Sequence, residues 1–166
     1  MGDHMDIEDK IVRILMEKNM KISTAESCTG GLVASRLVNV PGVSDVFEEG
    51  YITYANEAKE RILGVRKDTL QCFGAVSPQT AEEMALGAAG RTHAHCSIAT
   101  TGIAGPGGGT PEKPVGLVYI ACLVQGRVQV HRCLFEGDRQ EVRRKASQAA
   151  LQFMLEQLEA EIRLEA

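Results

Sequence analysis

Three consecutive residues with nucleophilic side chains, Ser27, Cys28 and Thr29, lie within the segment TAESCTGG at 24–31. The segment follows a short apolar run and precedes an apolar helical pattern that begins at Leu32. A small-residue turn between a strand and a helix exposes a side chain at the edge of a sheet and directs free backbone N–H groups at a ligand. The turn is therefore a candidate site for covalent chemistry. Spacing alone favours the alternative, in which Ser27 and Thr29 only cap the following helix.

Lys59 is the candidate base for a serine nucleophile. It lies in the first turn of a predicted helix, after a strand that ends near Tyr54, with Asn56 as the expected N-cap. A lysine at a helix N-terminus opposes the helix dipole, and this placement, like burial, lowers its pKa. A lysine near neutrality can accept the proton of a serine hydroxyl. The neighbouring charges of Glu60 and Arg61 favour the alternative of an exposed lysine in a charged helix.

Histidine-based catalysis and metal binding are not predicted. His93, His95 and His131 fall at strand starts or within strands, and no G-x-S-x-G sequence is present. His93 and His95 would share one side of a strand, but nothing nearby completes a metal shell, so a surface pair is the favoured interpretation. The five cysteines are odd in number, widely spaced and never C-x-x-C, which argues against disulfides and zinc and indicates a reducing cytoplasm. We therefore expect no metal site.

A glycine-rich loop at 102–110 and two arginines, Arg139 and Arg143, are candidates for ligand contacts. The loop is neither a Walker A sequence nor a G-x-G-x-x-G helix start, because Pro111 and Pro114 block a helix. It is read either as a loop whose backbone closely approaches a ligand or as a flexible connection. The arginines can hold a phosphate in bidentate geometry or pair with neighbouring acidic residues.

The predicted elements alternate between strands and helices. Periodicity and turn signals predict helices over 6–19, 29–38, 56–63, 67–72, 78–89 and 138–164, and strands over 21–25, 47–55, 97–101, 115–124 and 127–135. This pattern predicts an α/β fold: a single three-layer α/β/α domain over 6–166 with a mixed, mostly parallel sheet, because the last two strands form a hairpin. Residues 1–5 are expected to be a cloning remnant. Ligands bind beyond the carboxyl ends of parallel strands, where the segments after Ala25, Tyr54 and Thr101 are expected to converge.

Composition excludes several classes of partner. The chain has 166 residues, of which 44% are hydrophobic, 24% charged and 4% aromatic, with a formal net charge of −4 and no Trp. An acidic chain with few aromatic rings lacks the features of direct nucleic-acid binding. No apolar run approaches the ~18 residues of a membrane span, and no signal-peptide core begins the chain. We expect a cytoplasmic protein with a small-molecule ligand and neither a nucleic-acid nor a membrane partner.

Five motifs together resemble the CinA C-terminal domain family, the nicotinamide-nucleotide amidases. They occur in the family's order and spacing between residue 6 and the C-terminus: TAESCTGG (24–31), GYITYANEAKERILGV (50–65), GAVS (74–77), TTGIAGPGGGTPEKPVG (100–116) and FEGDRQEVRRKA (135–146). One departure is that the family's Tyr-Ser-Asn is Tyr54-Ala55-Asn56 here, which removes a hydroxyl. Many members carry an additional N-terminal domain of the molybdopterin-binding type, so this chain resembles the stand-alone form.

The resemblance implies hydrolysis of nicotinamide mononucleotide to nicotinic acid mononucleotide and ammonia by a Ser–Lys mechanism without metal or cofactor. It implies that Ser27 is the nucleophile, that Lys59 is the base, and that Tyr54 assists proton transfer or positioning. Backbone N–H groups near Cys28 to Gly31 and at Thr101-Gly102 would stabilise the oxyanion. The implied substrate-binding residues are Cys28, Thr29, Gly30, Gly31, Asn56, Thr101, Gly102, Gly105, Arg139 and Arg143.

The resemblance also implies a homo-oligomer that binds a small-molecule nucleotide. A hypothesis of a different class is a non-catalytic nucleotide-binding or competence-related interaction module. The acidic charge and the scarcity of aromatic residues argue against direct contact of such a module with DNA. Release of ammonia from nicotinamide mononucleotide discriminates between the two hypotheses.

Overall fold

A mixed sheet forms the centre of the protein in the computed structural model, which describes residues 5–166. Its strands are β1 (Ile22–Glu26), β2 (Phe47–Ile52), β3 (Cys96–Gly102), β4 (Leu117–Val124) and β5 (Arg127–Leu134). They lie in the order β2-β1-β3-β4-β5; β1 is parallel to β2 and β3, whereas β4 is antiparallel to β3 and β5. β4 therefore runs against the direction shared by the other strands, which confirms the predicted mixed sheet with its late hairpin.

Helices cover both faces of the sheet. They are α1 (Ile7–Lys18), α2 (Leu32–Leu37), α3 (Asn56–Leu63), α4 (Lys67–Phe73), α5 (Pro78–Thr92) and α6 (Arg139–Glu165), with a 3-10 turn at Val43–Asp45. Successive strand side chains point to opposite faces, so Ile22 and Ile98 pack among residues of α1, α2 and α6. Ala25 and Ala99 pack on the other face, among residues of α3 and α5. The predicted three-layer α/β/α architecture is confirmed.

Small residues bring α5 close to its neighbours. Ala81, Ala85 and Ala88 of α5 have no exposed surface and belong to the same cluster as the alanines of the sheet. Gly87 faces α3 so closely that a Cβ atom there would lie 1.9 Å from the Leu63 carbonyl oxygen. The backbone of α3 therefore rests on α5, and this contact sets the position of the helix that carries Lys59.

The structure corrects two helix starts. The helix predicted over 29–38 begins only at Leu32, because Gly30 and Gly31 adopt left-handed backbone angles with φ of 59° and 101°. Asn56 was expected to cap α3, but the N-cap is Ala55, whose carbonyl accepts the Lys59 N–H at 3.1 Å. Asn56 is instead the first residue of the helix and its side chain is exposed.

Other predicted boundaries agree with the structure to within a few residues. β2 ends at Ile52, three residues earlier than expected, and α5 continues to Thr92. Asp138 caps α6 as predicted, since its carboxylate accepts the Glu141 N–H at 2.9 Å. Residues 1–4 of the expected cloning remnant lie outside the described residues. Within residues 5–166, the helices are too short or too polar to cross a membrane.

Candidate active site

The segments after β1, β2 and β3 meet at one edge of the sheet. The Ser27 N–H donates to the Thr100 carbonyl at 3.0 Å, which continues the β1–β3 pairing by one residue. On the other side, the Thr53 N–H donates to the Glu26 carbonyl at 2.9 Å and continues the β1–β2 pairing. The turn that carries Ser27 is thus held between its two neighbouring strands, as the sequence predicts for a ligand site of this fold.

Lys59 and Ser27 form a buried pair. The Lys59 Nζ atom lies 3.0 Å from Ser27 Oγ, 2.7 Å from the Thr53 carbonyl and 3.1 Å from the Tyr54 carbonyl. Lys59 is 1% exposed and Ser27 8% exposed. Burial lowers the pKa of Lys59 from 10.5 to about 8, because the charged form is poorly solvated. The alternative interpretation of Lys59 as an exposed residue of a charged helix is therefore wrong.

The contacts of Lys59 give its neutral form a definite orientation. A neutral amine has two N–H groups and one lone pair, and the Thr53 and Tyr54 carbonyls can only accept hydrogen bonds. When these carbonyls take the two N–H groups, the lone pair faces Ser27 Oγ. Deprotonated Lys59 is then placed to accept the Ser27 proton, which is the geometric requirement for a general base.

Arg143 fixes the turn that carries Ser27. Its Nε atom donates to the Cys28 carbonyl at 3.0 Å and its Nη2 atom to the Thr29 carbonyl at 3.1 Å. The Ser27 carbonyl accepts the Gly30 N–H at 3.0 Å. Gly30 leaves room for the guanidinium, since a Cβ atom there would lie 3.1 Å from Arg143 Nη2. The structure thus shows Arg143 holding backbone carbonyls, whereas its predicted contact with substrate stays a prediction.

Cys28 does not compete with Ser27 as a nucleophile. Its side chain is 5% exposed, and burial raises the pKa of the thiol to about 12. The reactive form of cysteine is the thiolate, which is scarce at neutral pH when the pKa is so high. Cys28 therefore contributes packing and backbone to the turn, whereas Ser27 is the residue of the turn whose side chain contacts Lys59.

Sequence reasoning missed Glu26, which does the capping that had been considered for Ser27 and Thr29. The Glu26 carboxylate accepts the N–H groups of Val33 at 2.9 Å and Ala34 at 3.1 Å, at the start of α2. The Thr29 hydroxyl donates to the same carboxylate at 2.6 Å. The capping alternative for Ser27 and Thr29 is therefore wrong. The signal available in the sequence was an acidic residue, Glu26, directly before Ser27 and after the strand predicted at 21–25.

Gly102 supplies a candidate donor for an oxyanion. The Thr100 carbonyl points toward β1, where it accepts the Ser27 N–H. Backbone groups two residues apart in a strand point the same way, so the Gly102 N–H faces the Ser27 side. A Cβ atom at Gly102 would lie 2.6 Å from Val118 Cγ2, so only glycine fits there. The Thr101 hydroxyl is engaged elsewhere, since it donates to the Ala75 carbonyl at 2.8 Å.

Arg139 joins Tyr54 to the glycine-rich loop. Its Nη2 atom lies 2.9 Å from the Tyr54 hydroxyl and its Nη1 atom donates to the Gly105 carbonyl at 2.7 Å. Tyr54 therefore meets Lys59 through its main-chain carbonyl, while its ring, 60% exposed, meets Arg139. A role of the Tyr54 hydroxyl in proton transfer stays a prediction. Both of these contacts of Arg139 are with uncharged groups, so its positive charge is suited to an anionic ligand.

The three histidines among the described residues, His93, His95 and His131, lie away from this site. His93 ends α5, and His95 Nδ1 accepts the Lys21 N–H at 2.9 Å at the other end of β1 and β3. His131 lies against Phe153, with ring centroids 5.4 Å apart. In the part of the chain that the structure describes, no group of three His, Cys, Asp or Glu side chains is placed to hold a metal ion.

Comparison with known proteins identifies relatives along nearly the whole chain. Residues 4–158 match the family model of the CinA C-terminal domain. A competence-damage inducible relative from Clostridium beijerinckii is 55% identical over 152 residues, and one from Clostridioides difficile is 53% identical over 153 residues. Each alignment covers 92% of this chain and 37% of the relative. The chain therefore spans little more than a third of the length of these curated relatives.

Solved structures match the whole fold. The competence/damage inducible protein CihA from Agrobacterium tumefaciens superposes with a TM-score of 0.85 at 45% identity, covering 96% of this chain and 99% of that one. A CinA superfamily protein from Klebsiella pneumoniae superposes with a TM-score of 0.89 at 33% identity, covering 93% of this chain and 96% of that one. With the match at residues 4–158, these similarities show that the chain belongs to the CinA C-terminal domain family.

Proposed function

We propose that this protein is an amidohydrolase that converts nicotinamide mononucleotide to nicotinic acid mononucleotide and ammonia. The observation that carries the reaction class is the buried contact of 3.0 Å between Lys59 Nζ and Ser27 Oγ. A serine hydroxyl becomes a useful nucleophile when a positioned base takes its proton. The resemblance of the five sequence motifs to nicotinamide-nucleotide amidases supports the choice of substrate.

In the first half of the proposed reaction, Ser27 displaces ammonia. Neutral Lys59 takes the Ser27 proton while Oγ attacks the carboxamide carbon, forming a C–O bond and an oxyanion. The Gly102 N–H stabilises this charge as it develops. The Lys59 ammonium then returns its proton to the departing nitrogen, the C–N bond breaks, and ammonia leaves an ester on Ser27.

In the second half, water displaces Ser27 from the acyl group. Lys59, neutral again, takes a proton from water while the water oxygen attacks the ester carbon. The bond to Ser27 Oγ breaks, Oγ recovers a proton from Lys59, and the carboxylic acid of the product is released. One residue thus serves as base and acid in both halves, as in other enzymes with an activated serine.

Recognition of the nucleotide is proposed for the rim of the site. Arg139 carries a planar guanidinium beside Gly105 and Tyr54, and arginine suits a phosphate because of its paired donors. The exposed ring of Tyr54 offers an aromatic surface beside Arg139, and the main-chain carbonyl of the same residue contacts Lys59. The reaction centre and an anion-binding side chain are thereby linked through one residue, Tyr54.

Ammonia release from nicotinamide mononucleotide tests the proposal. Wild-type protein should release ammonia and Ser27→Ala should not, whereas Ser35→Ala, an exposed serine on α2, should retain the activity. Free nicotinamide should be a poorer substrate if the phosphate is recognised. Nucleotide binding by the wild type without ammonia release would contradict the amidase and favour a non-catalytic nucleotide-binding module.

A further inference from the structure

We propose that Glu26 is a positioning residue: its carboxylate, with the hydroxyls of Thr29 and Thr100, fixes the turn that aims Ser27 at Lys59. This inference rests on the proposed function in so far as Ser27 is taken as the nucleophile. Glu26 precedes Ser27 in the chain and ends β1. It has no exposed surface, so its ionised form depends on protein groups for stabilisation.

The carboxylate is bound from two directions. From α2 it accepts the N–H groups of Val33 at 2.9 Å and Ala34 at 3.1 Å, where the helix dipole also favours negative charge. From the turn it accepts the Thr29 hydroxyl at 2.6 Å. The N-cap of α2 is Gly31, which has no side chain to supply these contacts. A residue of the strand therefore caps the helix across the whole turn and fixes the distance between the two elements.

The direction of each hydroxyl hydrogen bond follows from the Glu26 carboxylate, which is the last acceptor in the series. An ionised carboxylate only accepts, so Thr29 must donate to Glu26. The Thr29 and Thr100 hydroxyl oxygens are 2.7 Å apart, and because the Thr29 proton is already used, Thr100 must donate to Thr29. The order of donation is thus Thr100 to Thr29 to Glu26, and it ends on the Glu26 oxygen that also accepts the Val33 N–H.

These contacts close a ring that includes the nucleophile's own backbone. Thr100 accepts the Ser27 N–H through its carbonyl at 3.0 Å and reaches Glu26 through the Thr29 hydroxyl. Glu26 is joined to Ser27 by a peptide bond. A change at Glu26 is therefore transmitted to Ser27 through a short chain of hydrogen bonds. A misplacement of ~1 Å costs roughly 10²-fold in rate.

A positioning role predicts a loss in kcat and in the reactivity of Ser27, with KM preserved. We would measure ammonia release and, separately, the rate at which phenylmethanesulfonyl fluoride labels Ser27, read by mass spectrometry. In labelling, Ser27 Oγ attacks sulfur, an S–O bond forms, fluoride leaves, and Lys59 takes the proton. Glu26→Gln should slow both by roughly 10- to 100-fold while KM changes by less than about twofold.

Matched variants separate positioning from stability. Thr29→Val, which removes the hydroxyl, should slow labelling as Glu26→Gln does, and Thr29→Ser, which keeps it, should restore the rate. Glu8→Gln removes a different buried carboxylate, 7% exposed and paired with Arg36 at the far end of α2. It should lower the melting temperature and leave the labelling rate unchanged.

The outcomes separate this inference from the proposed substrate, since labelling needs no nucleotide. Wild-type labelling rates in Glu26→Gln and Thr29→Val would overturn the positioning role, as would an equal slowing in Glu8→Gln. Labelling at Ser27 without ammonia release would contradict the substrate alone, and the comparison among variants would still decide the role of Glu26. A wild type that is neither labelled at Ser27 nor able to release ammonia would overturn both.

Discussion

The Lys59 Nζ atom lies 3.0 Å from the Ser27 hydroxyl oxygen, at the point where the loops after β1 and β2 meet. The direction of this hydrogen bond depends on protonation: ammonium donates to Ser27, whereas the neutral amine accepts from it. The carbonyls of Thr53 and Tyr54 occupy the remaining positions of Nζ in either state. One proton therefore switches the pair between a resting and a reactive arrangement without movement of the backbone.

The activity should rise with pH through the titration of Lys59. Burial lowers the pKa of Lys59 to about 8, and only the deprotonated form can accept the Ser27 proton. The plot of log kcat/KM against pH should increase with a slope of one below about pH 8 and level off above it, because kcat/KM reports the free enzyme. Lys59→Arg, which keeps its proton, should be inactive throughout. A flat profile between pH 6 and 9.5 would contradict Lys59 as the base.

The same titration should make folding stability depend on pH. The pKa of Lys59 falls from 10.5 to about 8 on folding, so between these values the unfolded chain holds a proton that the folded chain has lost. The free energy of unfolding of the wild type, relative to Lys59→Met, should therefore rise by about 3 kcal/mol from pH 7.5 to pH 10.5. Denaturant titrations across this range measure it.

An exposed lysine provides the control for this stability difference. Lys67 begins α4 and is exposed, so Lys67→Met removes a lysine outside the site and is measured over the same pH range. Groups common to both proteins cancel in each comparison. A stability difference between the wild type and Lys59→Met that stays constant or falls with rising pH would show that Lys59 keeps its charge when folded.

The sequence predicts the alternation of strands and helices, the hairpin and the edge of the sheet where Ser27 and Lys59 meet. These features depend on local periodicity and turn residues, which the chain displays directly. It does not predict the burial of Lys59, because that burial depends on how elements distant in sequence pack, as Gly87 of α5 does against the Leu63 carbonyl of α3. From neighbours in sequence alone, Lys59 resembles an exposed residue.

The hydrogen bonds that hold the turn carrying Ser27 were not predicted, for a similar reason. Thr29 and Thr100 are 71 residues apart, and Arg143 is 115 residues from the Cys28 carbonyl that it binds. The turn's hydrogen-bond partners come from β3 and α6, so no local pattern marks them. The N-cap of α2 was misassigned because a strand residue, Glu26, supplies the capping carboxylate from across the turn.

Two glycines of α5 should respond in opposite ways to alanine. A Cβ atom at Gly87 would lie 1.9 Å from the Leu63 carbonyl oxygen, so Gly87→Ala should push α3 away from α5, lower the melting temperature and reduce kcat by displacing Lys59. Gly90 has no atom within 4 Å of such a Cβ, so Gly90→Ala should stabilise the helix by up to ~1 kcal/mol and leave kcat unchanged. Thermal melts and ammonia release measure both effects. If Gly87→Ala lowered the melting temperature but kept the wild-type kcat, the packing of α3 on α5 would not be required for catalysis, and the prediction would be wrong.

The two arginines of α6 should contribute to different steps. Arg139 contacts the exposed Tyr54 ring and the Gly105 carbonyl, so Arg139→Ala should raise KM for nicotinamide mononucleotide by roughly tenfold. KM for the phosphate-free riboside should change little. Arg143 holds the Cys28 and Thr29 carbonyls, so Arg143→Ala should lower kcat and the melting temperature for either substrate.

Steady-state kinetics of both arginine variants on both substrates test this division. The proposal requires a crossed pattern: the effect of Arg139→Ala depends on the phosphate, whereas that of Arg143→Ala does not. If Arg139→Ala affected the riboside and the mononucleotide equally, Arg139 would not be the phosphate ligand. If Arg143→Ala alone raised KM for the mononucleotide, the phosphate would bind at the turn, and the contacts of Arg143 with the two carbonyls would have to open when substrate binds.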